Sequence, residues 1–98
     1  SKAVCFAGVG NPKNFFNLLK ENGIEVLEEI SFPDHYNYSK IDLDNLIKKA
    51  KEENSILLTT EKDYLRIHKD YRKNIYCLKI KAKIEKENEF IKEIKKVI

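Results

Sequence analysis

The chain has 98 residues, of which 42% are apolar, with five Tyr, five Phe and a net charge of +3. This composition can fill one modest core and excludes a disordered segment, and no run approaches the roughly 18 apolar residues of a membrane-spanning helix. The basic residues are interleaved with acids rather than clustered on one face, so we expect no nucleic-acid partner.

The chain opens with the pattern of a buried strand followed by a helix. Residues 3–7 are continuously apolar, as in a strand that is covered on both faces. Asn11 is a good helix N-cap, Pro12 suits the first helical position, and Gly23 is a typical C-terminal stop. A helix is therefore predicted between Pro12 and Gly23.

A second strand and a second helix are predicted next. Residues 24–32 alternate enough for a strand that ends at Pro33, and we expect three of its apolar side chains on one face: Ile24, Val26 and Ile30. Residues 34–38 then form a loop, and Ser39 with Asp42 resembles a capping box at a helix start. The helical stripe that follows consists of Leu43, Leu46, Ile47 and Ala50.

The rest of the chain predicts two more strands and two more helices. Residues 55–60 form the third strand, residues 64–67 a short helix and residues 74–80 the fourth strand. The last segment has the spacing of a closing amphipathic helix, with apolar residues at Phe90, Ile91, Ile94, Val97 and Ile98. Cys5 and Cys77 fall in two of the strands, where we expect buried, unbridged thiols that fit a reducing cytoplasm.

Strands that alternate with helices of about a dozen residues indicate crossover connections and a mostly parallel sheet. The predicted fold class is α/β: residues 1–98 form one small three-layer α/β/α domain of Rossmann-like type, with about four strands. Ligands of such sheets bind outside the carboxyl ends of the strands. The segments that follow the first three strands should therefore meet at one edge, and they are residues 8–12, 33–36 and 59–63.

The first and third segments also have ordinary structural interpretations. Gly8 and Gly10 lack the third glycine of a dinucleotide-binding fingerprint and favour a tight turn; in the functional alternative, the amides at the helix start hold an anion. Residues 59–63 fit a solvated loop whose acids lie at a helix start. The Lys-rich helix ends are either solvated faces or face an anionic membrane: Lys48, Lys49, Lys51, Lys92, Lys95 and Lys96.

The second segment contains the most reactive side chains. Asp34 and His35 fit a proton-transfer pair, a metal pair or a structural capping loop. Tyr36 and Tyr38 favour packing or rim positions, and His68 a solvated surface position. No ligand spacing supports a metal site made from Asp34, His35, Glu61 and Asp63.

In their order and separations, three motifs resemble the C-terminal part of the tetraacyldisaccharide 4'-kinase family. They are residues 7–12 (AGVGNP) followed by Phe15 and Phe16, residues 32–38 (FPDHYNY) and residues 58–63 (LTTEKD). Each motif is weak alone, and together they are specific. The similarity extends from about residue 3 to residue 67.

The resemblance implies a lipid kinase that transfers the γ-phosphate of ATP to the 4'-hydroxyl of a tetraacyldisaccharide 1-phosphate, a lipid A precursor of Gram-negative bacteria. It implies a P-loop domain that binds ATP and Mg²⁺, a smaller C-terminal α/β domain and an active site in the cleft between them. It also implies a cytoplasmic protein that lies peripherally on the inner-membrane surface.

The same resemblance implies roles for individual residues. His35 is the expected catalytic residue, which works with an aspartate of the P-loop domain to activate the sugar hydroxyl. Seven residues are expected to bind substrate or line the cleft: Asn11, Asp34, Tyr38, Thr60, Glu61, Lys62 and Asp63. No metal ligands are expected in this chain.

The sequence departs from the full family pattern because it contains no G-x-x-x-x-G-K-[ST] motif. We therefore expect these residues to be the C-terminal domain of a longer P-loop kinase, with its own N-terminal domain as partner. Alone, the chain is expected to bind no ATP or Mg²⁺ and to be inactive. The alternatives are a stand-alone, non-catalytic module that binds an anionic small molecule at the carboxyl edge, and a structural domain that supports a partner.

Overall fold

The structure is a computed structural model that describes residues 2–83 and 89–96. Its elements in chain order are β1 (Lys2–Ala7), α1 (Pro12–Glu21), β2 (Glu25–Ser31), α2 (Lys40–Glu52), β3 (Ile56–Thr60), α3 (Glu61–Arg66), α4 (Lys69–Arg72), β4 (Tyr76–Lys83) and β5 (Glu89–Lys96). Among the helices described, none has the length and apolar content needed to cross a membrane.

The strands build one five-stranded sheet in the order β2-β1-β3-β4-β5. β1 pairs in parallel with β2 and with β3, and β3 pairs in parallel with β4, which confirms the predicted mostly parallel sheet. β5 pairs antiparallel with β4. The chain moves outward from β1 to β2 and then returns past β1 to β3. The strand order therefore reverses between β1 and β3, and in sheets of this kind a crevice for ligands opens at that point.

Helices cover both faces of the sheet, as predicted for a three-layer domain. α1 packs on one face through Phe15, Phe16 and Leu19. α2 and α3 pack on the other face, where Leu46 and Tyr64 join the core around Phe6. β1 contributes to both clusters and is fully buried from residue 3 to residue 7, which explains its continuous apolar run.

The predicted capping box fixes the start of α2. The Asp42 backbone N–H donates to the Ser39 hydroxyl at 3.0 Å, and the Ser39 backbone N–H donates to the Asp42 carboxylate at 2.9 Å. The Tyr36 hydroxyl donates to the same carboxylate at 2.8 Å. The hydrogen bond from the Ser39 backbone, and to a smaller extent the one from Tyr36, holds the pKa of Asp42 below its usual range. The box therefore connects the loop after β2 to α2.

The structure corrects the prediction that one face of the second strand carries Ile24, Val26 and Ile30. The first two pack with the α1 cluster, and the third packs with the α2 cluster. The pairing register between β1 and β2 shifts after Ala3, so that Val4 lies opposite Glu28. The extra residue in β2 at this irregularity reverses the alternation of side chains between the two faces.

The predicted closing helix is wrong over the described residues, because Glu89–Lys96 is a strand. Its backbone pairs with β4 from Glu89 opposite Lys83 to Lys96 opposite Tyr76. This pairing between strands outweighs the helical spacing of the apolar residues. The last two residues of the predicted helix, Val97 and Ile98, lie outside the described residues.

A single helical turn, α4, follows α3 and was not predicted. The Nδ1 atom of His68 caps this turn by accepting a hydrogen bond from the Asp70 backbone N–H at 3.2 Å. The side chain of His68 is exposed, as predicted for a surface histidine.

Candidate functional site

The predicted convergence of three loops is observed at the carboxyl edge of the sheet, where the strand order reverses. The His35 backbone N–H donates to the Gly8 carbonyl oxygen at 3.0 Å, which joins the second loop to the first. The Gly8 backbone N–H donates to both carboxylate oxygens of Asp63, each at 3.1 Å, which joins the first loop to the third. Gly8 is therefore the residue at which the three loops meet.

Asp63 is a fully buried carboxylate that organises this junction. The Tyr38 hydroxyl donates to one of its oxygens at 3.0 Å, and the Thr60 hydroxyl donates to the other at 2.6 Å. The prediction of a solvated loop is wrong at this residue, because donors from all three loops replace the water that the charge would lose. The acids do lie at a helix start, as predicted, but the short helix begins at Glu61 and not at residue 64, because the Thr60 oxygen accepts the Asp63 backbone N–H at 3.0 Å and caps α3.

Tyr38 contacts Asp63 as a half-buried donor rather than as an acid or base. Burial raises the pKa of its hydroxyl, and the negative charge of Asp63 raises that pKa further. The phenol therefore stays protonated at physiological pH and donates to the carboxylate. Its ring packs edge-on against Phe6, which anchors the second loop to the core.

Arg66 belongs to this junction and was not singled out as a site residue from the sequence. Its Nη1 atom lies 3.3 Å from the Gly8 carbonyl oxygen and 3.6 Å from Asp63 Oδ1. Its Nη2 atom lies 2.8 Å from His35 Nδ1. One signal could have identified Arg66: it is one of only two arginines, and it lies one helical turn after Asp63 on a helix that begins at the sheet edge.

His35 lies at the rim of the junction. Its backbone φ is 59°, in the left-handed region that non-glycine residues seldom adopt, at a cost of about 1 kcal/mol or more. Its side chain is 72% exposed, and its Nε2 atom lies 3.7 Å from Asp34 Oδ2. The Gly8 carbonyl fixes the backbone of His35, and Arg66 contacts its ring, so the exposed imidazole has a defined position.

A cavity of about 370 Å³ lies at the same edge on the α1 side of the sheet. Its polar lining includes four of the predicted site residues: Asn11, Thr60, Glu61 and Lys62. Its apolar lining comes from Val9, Phe15, Leu18 and Leu78. The predicted site residues therefore form two groups, with Asp34, His35, Tyr38 and Asp63 around Gly8 and the others along the cavity, while Thr60 belongs to both.

The Gly8 amide in the turn after β1 is not open to a phosphate of ATP. The Gly8 amide already holds an anion, which is the carboxylate of Asp63. A phosphate at that position would meet a buried negative charge.

Metal-binding geometry is absent from the part of the chain that the structure describes. No group of three or more His, Cys, Asp or Glu side chains there lies close enough to hold a metal ion. Asp63 is occupied by protein donors, and Glu61 lines the cavity on the α1 side.

The fold and the loops define a small α/β domain of the kind that presents polar loops at the carboxyl edge of a parallel sheet. The chain belongs to the tetraacyldisaccharide-1-P 4'-kinase family, whose family model matches residues 1–98. This match confirms the resemblance that the three sequence motifs indicate.

Individual relatives agree with the family assignment. The tetraacyldisaccharide 4'-kinase of Rickettsia canadensis (strain McKiel) is 46% identical over 85 residues, which cover 86% of this chain and 26% of the relative. That of Rickettsia felis (strain ATCC VR-1525 / URRWXCal2) is 45% identical over 80 residues, 82% of this chain and 24% of the relative. That of Pelagibacter ubique (strain HTCC1062) is 38% identical over 94 residues, 96% of this chain and 30% of the relative. The chain spans 24–30% of the length of these relatives. No solved structure matches the chain significantly.

Proposed function

We propose that this chain is the C-terminal domain of an ATP-dependent kinase that phosphorylates the 4'-hydroxyl of a tetraacyldisaccharide 1-phosphate. The observation that carries the proposal is the family match over residues 1–98. The match covers only 26% and 30% of two relatives named tetraacyldisaccharide 4'-kinase, so the rest of their length has room for the P-loop domain whose motif this sequence lacks. In this proposal the chain forms one wall of a cleft, and the P-loop domain forms the other and binds ATP and Mg²⁺.

In this proposal His35 is the catalytic residue that the chain contributes. Phosphoryl transfer depends mainly on positioning and on stabilising charge, so the protein must hold the attacking hydroxyl in line with the phosphate. The exposed imidazole of His35 is held by a backbone hydrogen bond and by Arg66, and can therefore meet a hydroxyl from the open side of the cleft. Its role is to orient or deprotonate the 4'-hydroxyl.

The other predicted residues have two proposed roles. Asp34, which lies beside His35, contacts substrate or the P-loop domain. The polar residues of the cavity have the same proposed role, and they are Asn11, Thr60, Glu61 and Lys62. Tyr38 and Asp63 hold the three loops together and so shape the wall of the cleft.

We also propose that the kinase lies peripherally on the cytoplasmic face of the inner membrane, where a tetraacylated acceptor would be found. The basic side chains of α2 support this location, because each cation near an anionic surface contributes about 1 kcal/mol to membrane binding. They are Lys48 and Lys51, while Lys49 already pairs with the Glu28 carboxylate at 3.3 Å. The buried cysteines fit a reducing compartment.

The proposal is tested by substituting His35→Ala in the full-length kinase. We expect kcat to fall by about 10²–10⁴-fold, the usual contribution of a group that handles a proton in the transition state. The exposed side chain can be removed without opening the core, so folding should be unaffected. The measurement is transfer of labelled phosphate from ATP to the tetraacyldisaccharide acceptor.

The matched control is His68→Asn, which replaces the other histidine and keeps a side chain that can cap α4. It should leave kcat unchanged. If His35→Ala also left kcat unchanged, His35 would have no role in the reaction. Phosphorylated product from the isolated 98 residues would refute the proposed division of work between two domains.

A further inference from the structure

The contact between Arg66 and His35 determines where the imidazole carries its proton. A guanidinium group has five N–H donors and no acceptor. His35 Nδ1, at 2.8 Å from Arg66 Nη2, must therefore present a lone pair. In a neutral imidazole the proton is then on Nε2. A protonated ring would bring an N–H group against the guanidinium and lose the contact.

Arg66 is itself fixed in position. Its side chain is only 23% exposed, and its Nη1 atom contacts the Gly8 carbonyl oxygen and the carboxylate of Asp63. That carboxylate is buried and accepts hydrogen bonds from three loops. A continuous series of contacts therefore connects the buried junction to the exposed ring of His35.

We propose that Arg66 is a positioning residue that holds His35 as the Nε2–H tautomer, with that N–H on the exposed side of the ring, where Asp34 Oδ2 lies 3.7 Å from Nε2. The inference rests on the proposed function and specifies how His35 acts in it. With Nδ1 occupied, the ring donates a hydrogen bond from Nε2 and orients an acceptor oxygen. His35 can take a proton at Nε2 only after Arg66 has released Nδ1 and the ring proton has moved there.

The tautomer can be measured without an activity assay. In the full-length protein labelled with ¹⁵N-histidine, long-range ¹⁵N–¹H spectra of the neutral rings report which nitrogen carries the proton. Resonances of His35 and His68 are identified by their loss in His35→Gln and His68→Asn. We expect His35 to be the Nε2–H form with a hydrogen-bonded Nδ1, and we expect Arg66→Met to shift the Nδ1 resonance and populate the Nδ1–H form.

His68 is the internal control, because its Nδ1 accepts the Asp70 backbone N–H of its own helical turn. Although His68 lies only two residues after Arg66, the Arg66 guanidinium contacts the ring of His35 and not that of His68. Its resonances should be the same in both proteins. A dominant Nδ1–H form of His35 in the unsubstituted protein would overturn the inference. A His35 spectrum that does not respond to Arg66→Met would also overturn it.

A double-mutant cycle tests whether Arg66 acts through His35. Arg66→Met alone should lower kcat by about 10–100-fold, as expected when a reacting group is misplaced, with KM for ATP unchanged. In a His35→Ala background the same substitution should have no further effect on kcat. Multiplicative losses in the double variant would show that Arg66 acts independently and would overturn the inference.

Arg72→Met is the matched control, because it also removes an arginine that contacts α3. Arg72 donates to the carbonyl oxygens of Leu65 and Ile67 and stacks over Tyr64, and none of these contacts involves His35. It should lower the thermal midpoint and leave both kcat and the His35 spectrum unchanged.

If the unsubstituted protein had no kinase activity, the proposed function would fail while the tautomer result would stand. If the tautomer did not depend on Arg66, this inference would fail while the function would stand.

Discussion

At the scale of single residues, Asp63 and Gly8 determine how closely the three loops approach. The buried carboxylate of Asp63 is compensated by the Gly8 amide and by two hydroxyl donors. A buried carboxylate without such partners would cost several kcal/mol. The compensation requires the backbone of residue 8 to lie directly against Asp63 and Pro33, which leaves no room for a side chain at that residue.

Gly8→Ala is therefore expected to destabilise the domain by about 1–3 kcal/mol, the usual cost of overpacking. The new Cβ would lie 3.0 Å from the Pro33 carbonyl oxygen and from the Tyr38 hydroxyl, and 3.2 Å from Asp63 Oδ1. These atoms are backbone or are held in the hydrogen-bonded junction, so they cannot move apart without loss. The free energy of unfolding in urea measures the effect.

Gly10→Ala is the matched control for this substitution. Its Cβ would meet only Asp34 Oδ2, at an ordinary contact distance of 3.7 Å. The change should stay within about 1 kcal/mol of the parent, since a tolerated alanine also reduces the entropy of the unfolded chain. Equal losses at the two glycines would contradict the close approach at Gly8.

The sequence identified some residues of the site and missed the contacts that unite them. His35 and Asp63 were recognisable because polar side chains that follow parallel strands meet at one edge. The contacts of Arg66 with His35 and with Gly8 join residues 31 and 58 positions apart, and the Gly8–Asp63 hydrogen bonds join residues 55 apart. No local pattern encodes such contacts, because they depend on the final positions of several loops.

At the scale of elements, local rules predicted the starts of α1 and α2 and failed where strand pairing decides. The capping residues of α2 were visible because the partners lie three residues apart, whereas the Thr60 cap of α3 was not predicted and the helix was placed too late, at residues 64–67. The strand β5 and the irregularity in β2 were missed, because each is set by hydrogen bonds to a neighbouring strand. A helical pattern of apolar residues cannot exclude such pairing.

The cap of α2 can be tested by Ser39→Ala, which should lower the free energy of unfolding by about 1 kcal/mol because the Asp42 N–H loses its acceptor. Ser55→Ala, beyond the other end of the same helix, removes only a weak 3.4 Å contact to the Ala50 carbonyl. That control should stay within about 0.5 kcal/mol of the parent. Both values can be read from urea unfolding at neutral pH. A smaller loss at Ser39 than at Ser55 would contradict the cap.

The second half of the capping box depends on the charge of Asp42. Because its folded-state pKa is lowered, its contribution is present above the ordinary value of 3.8 and is lost as the pH falls through the lower folded-state value. The parent should therefore lose stability below about pH 4, and Asp42→Asn should lose less over the same range. Identical acid profiles would show that the carboxylate does not stabilise the cap.

At the scale of the whole molecule, the central strand β1 unites two cores that lie on opposite faces of one sheet. Cys5 belongs to the cluster under α1, and Cys77 belongs to the cluster under α2 and α3. Both are buried, and neither forms a disulfide in the described part of the chain, as the sequence predicted. Burial, and to a smaller extent the charge of Glu29, raises the pKa of the Cys5 thiol to about 12, so its reactive thiolate is scarce in the folded state.

Because β1 is shared, we expect the two cores to unfold together and the two thiols to become reactive in one transition. Pulsed alkylation in increasing urea, read by mass spectrometry, measures this for Cys5 in a Cys77→Ala variant and for Cys77 in a Cys5→Ala variant. Each alkylation midpoint should match the midpoint of the circular-dichroism transition of the same variant, which corrects for the stability that each alanine removes. A thiol that reacted well below that midpoint would show that its layer opens alone, so that the wall carrying His35 would not be one cooperative unit.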